Sequence, residues 1–171
     1  ASAMCEIAKQ NAEMAQKLVD QRAVPFLALL ISHKDTQIKR QVCACLAQIA
    51  KHRQELAEEV VNHNIFPKIF SLLKDQDQVV RKNAATCIRE IAKHSSELSN
   101  TICNAGGSAA LVEYIGDSKS SARLPGIMTL GYIAAFDEHN AMAIINAKGI
   151  TPLKEALIKE PEDCVKAAAV W

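Results

Sequence analysis

Aromatic side chains are scarce: one Trp, two Tyr and four Phe stand among 171 residues, although 49% of the chain is hydrophobic. The apolar content is carried by Ala, Ile, Leu and Val, which suit the narrow space between close-packed helices, so an all-α fold is expected. Charge of one sign is missing as well. With a formal net charge of +1, no global field draws in nucleic acid or an anionic membrane, and neither is expected as a partner. No apolar run of about eighteen residues occurs, and the opening ASAMCEIAKQNAEM lacks a basic segment followed by an apolar one. A soluble protein of the cytoplasm is expected.

Catalytic signatures are also lacking. There is no nucleophile elbow, phosphate-binding loop, dinucleotide fingerprint or paired-histidine zinc motif, and Gly106-Gly107 follows a helical pattern, so it reads as a turn between helices. Neither an enzyme nor a cofactor is expected. The six cysteines, Cys5, Cys43, Cys45, Cys87, Cys103 and Cys164, contain no CxxC pair. Cys43 and Cys45 diverge on a helix, and all six are expected to be small buried hydrophobes in a reducing compartment. His33, His52, His63, His94 and His139 raise a metal hypothesis, but His52 and His94 occupy one position of a repeat. Stacked layers lie ~10 Å apart, too far for these two to share an ion. Solvated helix-end histidines are expected instead.

What the chain does contain is a repeat. The stretch from Asp77 to His94 has a close copy forty-two residues earlier, in KDTQIKRQVCACLAQIAK (Lys34 to Lys51), and a looser one forty-two residues later. Val80, Ala84, Cys87, Ile88 and Ile91 make one helical stripe rather than the alternation of a strand. Upstream of each long helix the pattern predicts two shorter ones. Asn11, Arg53, Ser95 and Asp137 recur at the phase of an N-cap, with Glu13, Glu55 and Glu97 in the first turn, where the helix dipole favours a carboxylate. Gly106-Gly107 and Gly149 are expected to supply the positive φ of the following turn, and Arg22-Ala23 and Asn64-Ile65 to do so without glycine. Pro25, Pro67 and Pro152 fall near the first turn of the second helices, where a missing N–H is tolerated.

Residues 1–171 therefore form a single array: a partial unit at 1–10, units at 11–52, 53–94 and 95–136, and a partial unit at 137–171. Both ends are expected to break inside a third helix, leaving apolar faces that favour end-to-end association. Such units bury their apolar faces only by stacking, which places Ile49, Ile91 and Ile133 in one continuous core. In the third unit Pro125-Gly126 predicts a long helix that starts late, at Pro125.

A three-helix period of this length, with a G-x-x-P-x-L pattern before the second helix and V-x-x-x-A-A at the third, resembles the armadillo family. IREIAKH (88–94), RLPGIMTLGYIAA (123–135) and EPEDCVKAAAVW (160–171) are similar to its members in the ciliary and flagellar central apparatus. The resemblance implies a right-handed α-solenoid with three helices per repeat. It implies too that the third helices line a concave groove. That groove would present Arg40, Gln48 and Lys51, then Lys82, Thr86, Arg89, Glu90 and Lys93, then Leu124, Met128 and Tyr132. Nuclear-import relatives carry a Trp and, four residues on, an Asn in each repeat. Here those places hold Ser2/Glu6, Ala44/Gln48, Thr86/Glu90 and Met128/Tyr132, and only Trp171 restores the Trp, which argues against a nuclear-signal clamp.

Two basic ladders, Lys9/Lys51/Lys93 and Lys39/Arg81/Arg123, read either as a track for an acidic partner or as surface pairs such as Glu6–Lys9 and Glu90–Lys93. The resemblance implies a non-enzymatic scaffold of the axoneme and cytoskeleton. Its partners would be central-apparatus and microtubule-associated proteins, with tubulin's acidic tails a candidate. A soluble adaptor for extended peptides, in transport or signalling, is the alternative.

Overall fold

The long helices begin where an aspartate caps them. In the computed structural model, which describes residues 2–171, Asp35 accepts the Gln37 and Ile38 amides at the head of α4 (Thr36–Ala50). Asp77 accepts the Val80 amide at the head of α7 (Gln78–Ala92). The short first helices are α2 (Ala12–Asp20), α5 (Gln54–Asn62), α8 (Ser96–Asn104) and α11 (Glu138–Asn146). Asn11, Ser95 and Asp137 cap three of them through side-chain oxygens, and Arg53 leads the other without a side-chain bond. The second helices are α3 (Ala23–Leu30), α6 (Phe66–Leu72), α9 (Gly107–Asp117) and α12 (Ile150–Lys159). Together with α1 (Ser2–Gln10), α10 (Leu124–Phe136) and α13 (Asp163–Val170), they form an all-α solenoid.

The core runs along the third helices. Val80, Ala84, Cys87, Ile88 and Ile91 are all fully buried, as are Ile49 and Ile133 in the neighbouring layers. Burying an isoleucine contributes about 1.5–3 kcal/mol. No layer can form its half of this core alone, which makes stacking the condition for folding.

The turns between first and second helices differ from expectation in one respect. Positive φ falls on Arg22 (56°), Asn64 (50°), Gly106 (87°) and Lys148 (64°), one residue per unit at a constant phase. Gly149 has φ −64°, so it does not supply the left-handed turn; Lys148 does. Gly107 and Gly149 answer a different need. A Cβ on Gly107 would lie 2.4 Å from Ile102 Cγ2, and one on Gly149 would lie 2.6 Å from Ile144 Cγ2.

The third unit departs from the others as its proline forecast. A 3-10 turn, Ser120–Ala122, precedes α10, and Pro125 sits in its first turn. Gly126 lets the Tyr114 ring close in, and the Tyr114 hydroxyl donates to the Ala122 carbonyl.

Two further expectations are corrected. His52 and His94 are half-buried rather than free in solvent, and each ring donates from Nε2 to a backbone carbonyl of the preceding layer, Ala8 and Ala50 respectively. Cys5, Cys43, Cys45 and Cys87 are buried, whereas Cys103 is half-buried and Cys164 is exposed. Among the described residues no helix is long and apolar enough to cross a membrane.

Candidate partner-binding groove

The residues named from sequence recur at matching repeat positions of α4, α7 and α10. On α4, Lys51 donates to the Gln48 amide oxygen at 3.0 Å. Arg40 is otherwise engaged: its Nε lies 2.9 Å from Asp77 Oδ1, and a second nitrogen reaches the other carboxylate oxygen. The hydrogen bonds from Arg40, then that from the Val80 amide, hold the Asp77 carboxyl down at about 2. Arg40 thus joins two repeats rather than facing a partner.

On α7, Lys82 is exposed and the Thr86 hydroxyl turns back to the Lys82 carbonyl at 2.8 Å. Glu90 was expected to be presented in the groove but is only 7% exposed. It is ion-paired on both sides, with Arg89 and with Lys93. Burial pushes its carboxyl upward, but the two cations outweigh burial and the net direction is down. Arg89 continues the row, with Nη1 4.0 Å from the Met128 sulfur.

On α10 the row turns apolar. Leu124, Met128 and Tyr132 are half-buried, and the Tyr132 ring meets Trp171 edge-on, with centroids 5.3 Å apart at 78°. Trp171 lies over Gly131, where a Cβ would come within 2.8 Å of the indole. Trp171 therefore belongs with Met128 and Tyr132, a grouping the site residues named from sequence leave out. The available signal was the repeat phase, which places Trp171 at the position of Met128.

The second basic ladder does not face a partner. Lys39 pairs with Asp75, and Arg81 donates to the Asp75 carbonyl at 2.9 Å. Arg123 is 7% exposed and lies 3.2 Å from Glu160. Glu160 and Glu162 also accept the Ser120 and Ser121 amides, at 3.0 and 3.3 Å. Apart from Arg81, whose bond stays within its own unit, these groups fasten one unit to the next across 36 to 41 residues. Of the first ladder, Lys9 makes an exposed pair with Glu6 at 3.7 Å, while Lys51 and Lys93 stay in the row. Among the described residues no group of three or more His, Cys, Asp or Glu is placed to hold a metal ion.

The family described as PIK3R4-like, middle domain, matches residues 2–170. No curated protein matches the chain in sequence. Among solved structures, a designed armadillo repeat protein in complex with the peptide (KR)4 is similar at TM-score 0.93 and 23% identity, covering 99% of this chain and 70% of that one. Computationally designed armadillo repeat proteins for modular peptide recognition are similar at TM-score 0.93 and 24% identity, covering 99% and 71%. An engineered protein is similar at TM-score 0.93 and 26% identity, covering 98% and 68%. The solenoid is an armadillo-repeat solenoid.

Proposed function

The chain belongs to the PIK3R4-like middle-domain family, and on that premise we propose that it is a non-enzymatic scaffold of the ciliary and flagellar central apparatus. At the coarser level, the armadillo fold is that of a protein-binding scaffold. The observation that carries the reading is the row itself: Lys51, Arg89, Lys93, Met128 and Tyr132 recur on successive third helices, which stacking and the ties between units hold in place. A rigid row of this kind binds without ordering a loop, which keeps the entropy cost of association low.

The central apparatus enters through likeness to sperm-associated antigen six in IREIAKH, RLPGIMTLGYIAA and EPEDCVKAAAVW. These segments hold the His94 tie, the late start of α10, and the acceptor pair Glu160 and Glu162. The partners proposed are central-apparatus and microtubule-associated proteins, tubulin included. The role is axoneme assembly, central-pair stability and motility. Imaging the tagged full-length protein in ciliated cells tests this: axonemal localisation is expected, and a location anywhere else overturns it.

A soluble adaptor that holds extended peptides is the second reading, and the solved neighbour bound to (KR)4 favours it. It predicts capture of linear peptides and no co-sedimentation with microtubules.

A further inference from the structure

The charge along the row is lopsided. Lys51, Lys82, Arg89 and Lys93 line α4 and α7, and the carboxylate among them, Glu90, is buried and already paired with Arg89 and Lys93. A basic segment such as (KR)4, bound by the designed relative, would meet cations here and find that carboxylate occupied. Beyond them, Met128, Tyr132 and Trp171 form an apolar shelf that begins in contact with Arg89.

We infer that the groove takes an extended protein segment carrying a carboxylate and, a few residues along, a large apolar side chain. The carboxylate lies against the α4–α7 cations and the apolar side chain on the Met128–Tyr132–Trp171 shelf. Neighbouring third helices are ~8–10 Å apart and an extended chain advances ~3.3–3.6 Å per residue, which sets the spacing at about two to three residues. Charge complementarity steers and orients such a segment, and the desolvated aromatic contact anchors it. This rests on the third-helix face being the binding surface and adds the chemistry of the ligand. Cations beside aromatic rings also suit single-stranded nucleic acid. A protein segment is favoured because Tyr132 and Trp171 meet edge-on and offer no pair of parallel faces for successive bases.

Trp171 is the sole tryptophan, so its fluorescence reports occupancy of the shelf. The chain is titrated with an eight-residue peptide carrying Glu and, three residues on, Phe, with (KR)4, and with a single-stranded oligonucleotide. Saturable binding of the acidic peptide, weakened by salt, is expected. Affinity should fall by about tenfold or more both in Tyr132→Ala and in the double variant Lys51→Glu/Lys82→Glu. These side chains are half-buried or exposed, and unchanged thermal melts would verify that the variants fold. Binding of (KR)4 as tightly as the acidic peptide overturns the inference and leaves the groove standing. Displacement of the peptide by the oligonucleotide overturns it in favour of nucleic acid. If nothing binds, the groove itself is not a site for linear segments.

Discussion

His94 donates its Nε2 hydrogen to the Ala50 carbonyl at 2.7 Å, and His52 makes the same bond to Ala8 at 2.6 Å. Ala50 ends α4 and Ala8 lies in the last turn of α1, where carbonyls have no intrahelical partner. Each long helix is thus completed by a side chain from the next unit. A carbonyl can only accept, so the proton on Nε2 follows from the geometry. The third unit breaks the series. Phe136 stands at the histidine phase, and the Ala92 carbonyl is met by the Ser99 hydroxyl at 3.0 Å instead.

That substitution within the chain defines a mutant cycle. His94→Phe leaves the Ala50 carbonyl without a partner and should cost about 1–3 kcal/mol in urea unfolding. Ala57 occupies the place equivalent to Ser99 and is fully buried. Adding Ala57→Ser to His94→Phe should therefore recover part of the loss, whereas Ala57→Ser alone should not stabilise. A double variant no more stable than His94→Phe would show that the two devices do not substitute for one another.

Asp77 has two tasks that one substitution separates. Its carboxylate caps α7 through the Val80 amide and pairs with Arg40 across the repeat boundary. Asn keeps the cap and loses the charge. Because Arg40 and the amide hold the folded carboxyl at about 2, below the ordinary value of 3.8, the pair contributes stability above about pH 4. That contribution is lost as pH falls through about 2. The stability gap between the parent and Asp77→Asn should be full at pH 7, shrink below pH 4 and close near pH 2. Urea midpoints across that range measure it, and a gap independent of pH would remove the ion pair as its cause.

Two glycines should respond in opposite directions. A methyl on Gly107 would lie 2.4 Å from Ile102 Cγ2 and 2.7 Å from the Ile102 carbonyl oxygen, and the backbone atom cannot retreat. Gly107→Ala should destabilise by about 1–3 kcal/mol. Gly116, inside α9, has nothing within 4 Å of the added carbon. There alanine should stabilise by about 0.5–1 kcal/mol through helix propensity and a less free unfolded chain. Paired thermal melts decide the matter.

Much of the fold was legible in sequence because the relevant signals are local. Asn11, Ser95 and Asp137 cap through their own side chains to amides three residues on, and Pro125 moves a helix start by its own geometry. Lys148 was not legible: the adjacent Gly149 drew the assignment of positive φ, yet that glycine is required by Ile144. The ladder Lys39, Arg81 and Arg123 shows as charge in the sequence, but not that Asp75 and Glu160 return from the following unit over Lys39 and Arg123, nor that Arg81 is held by the Asp75 carbonyl of its own unit. Glu90 was assigned to the groove for a related reason: helical phase locates a side chain around one helix, while its burial depends on Arg89, Lys93 and the neighbouring layer.

The cysteines offer a gauge of where the solenoid opens. Burial pushes the Cys43 and Cys45 thiols up to about 12 and Cys87 well above its ordinary value, so in the folded protein these sulfurs stay protonated. The thiolate is the reactive form, and buried sulfurs are also out of reach of reagent. With excess Ellman's reagent at pH 8, exposed Cys164 should react first and half-buried Cys103 more slowly. Cys43, Cys45 and Cys87 should react only at the rate of local opening. The same shifts set an alkaline limit. Folded pKa values raised above 9 mean that the unfolded chain loses these protons first, so their contribution is complete below about pH 9 and lost as pH rises towards 12. Replacing Cys43 and Cys45 with alanine should therefore flatten the fall in stability between pH 9 and 11, although it lowers stability at pH 7 by opening small cavities. An unaltered alkaline slope would assign that fall to other groups.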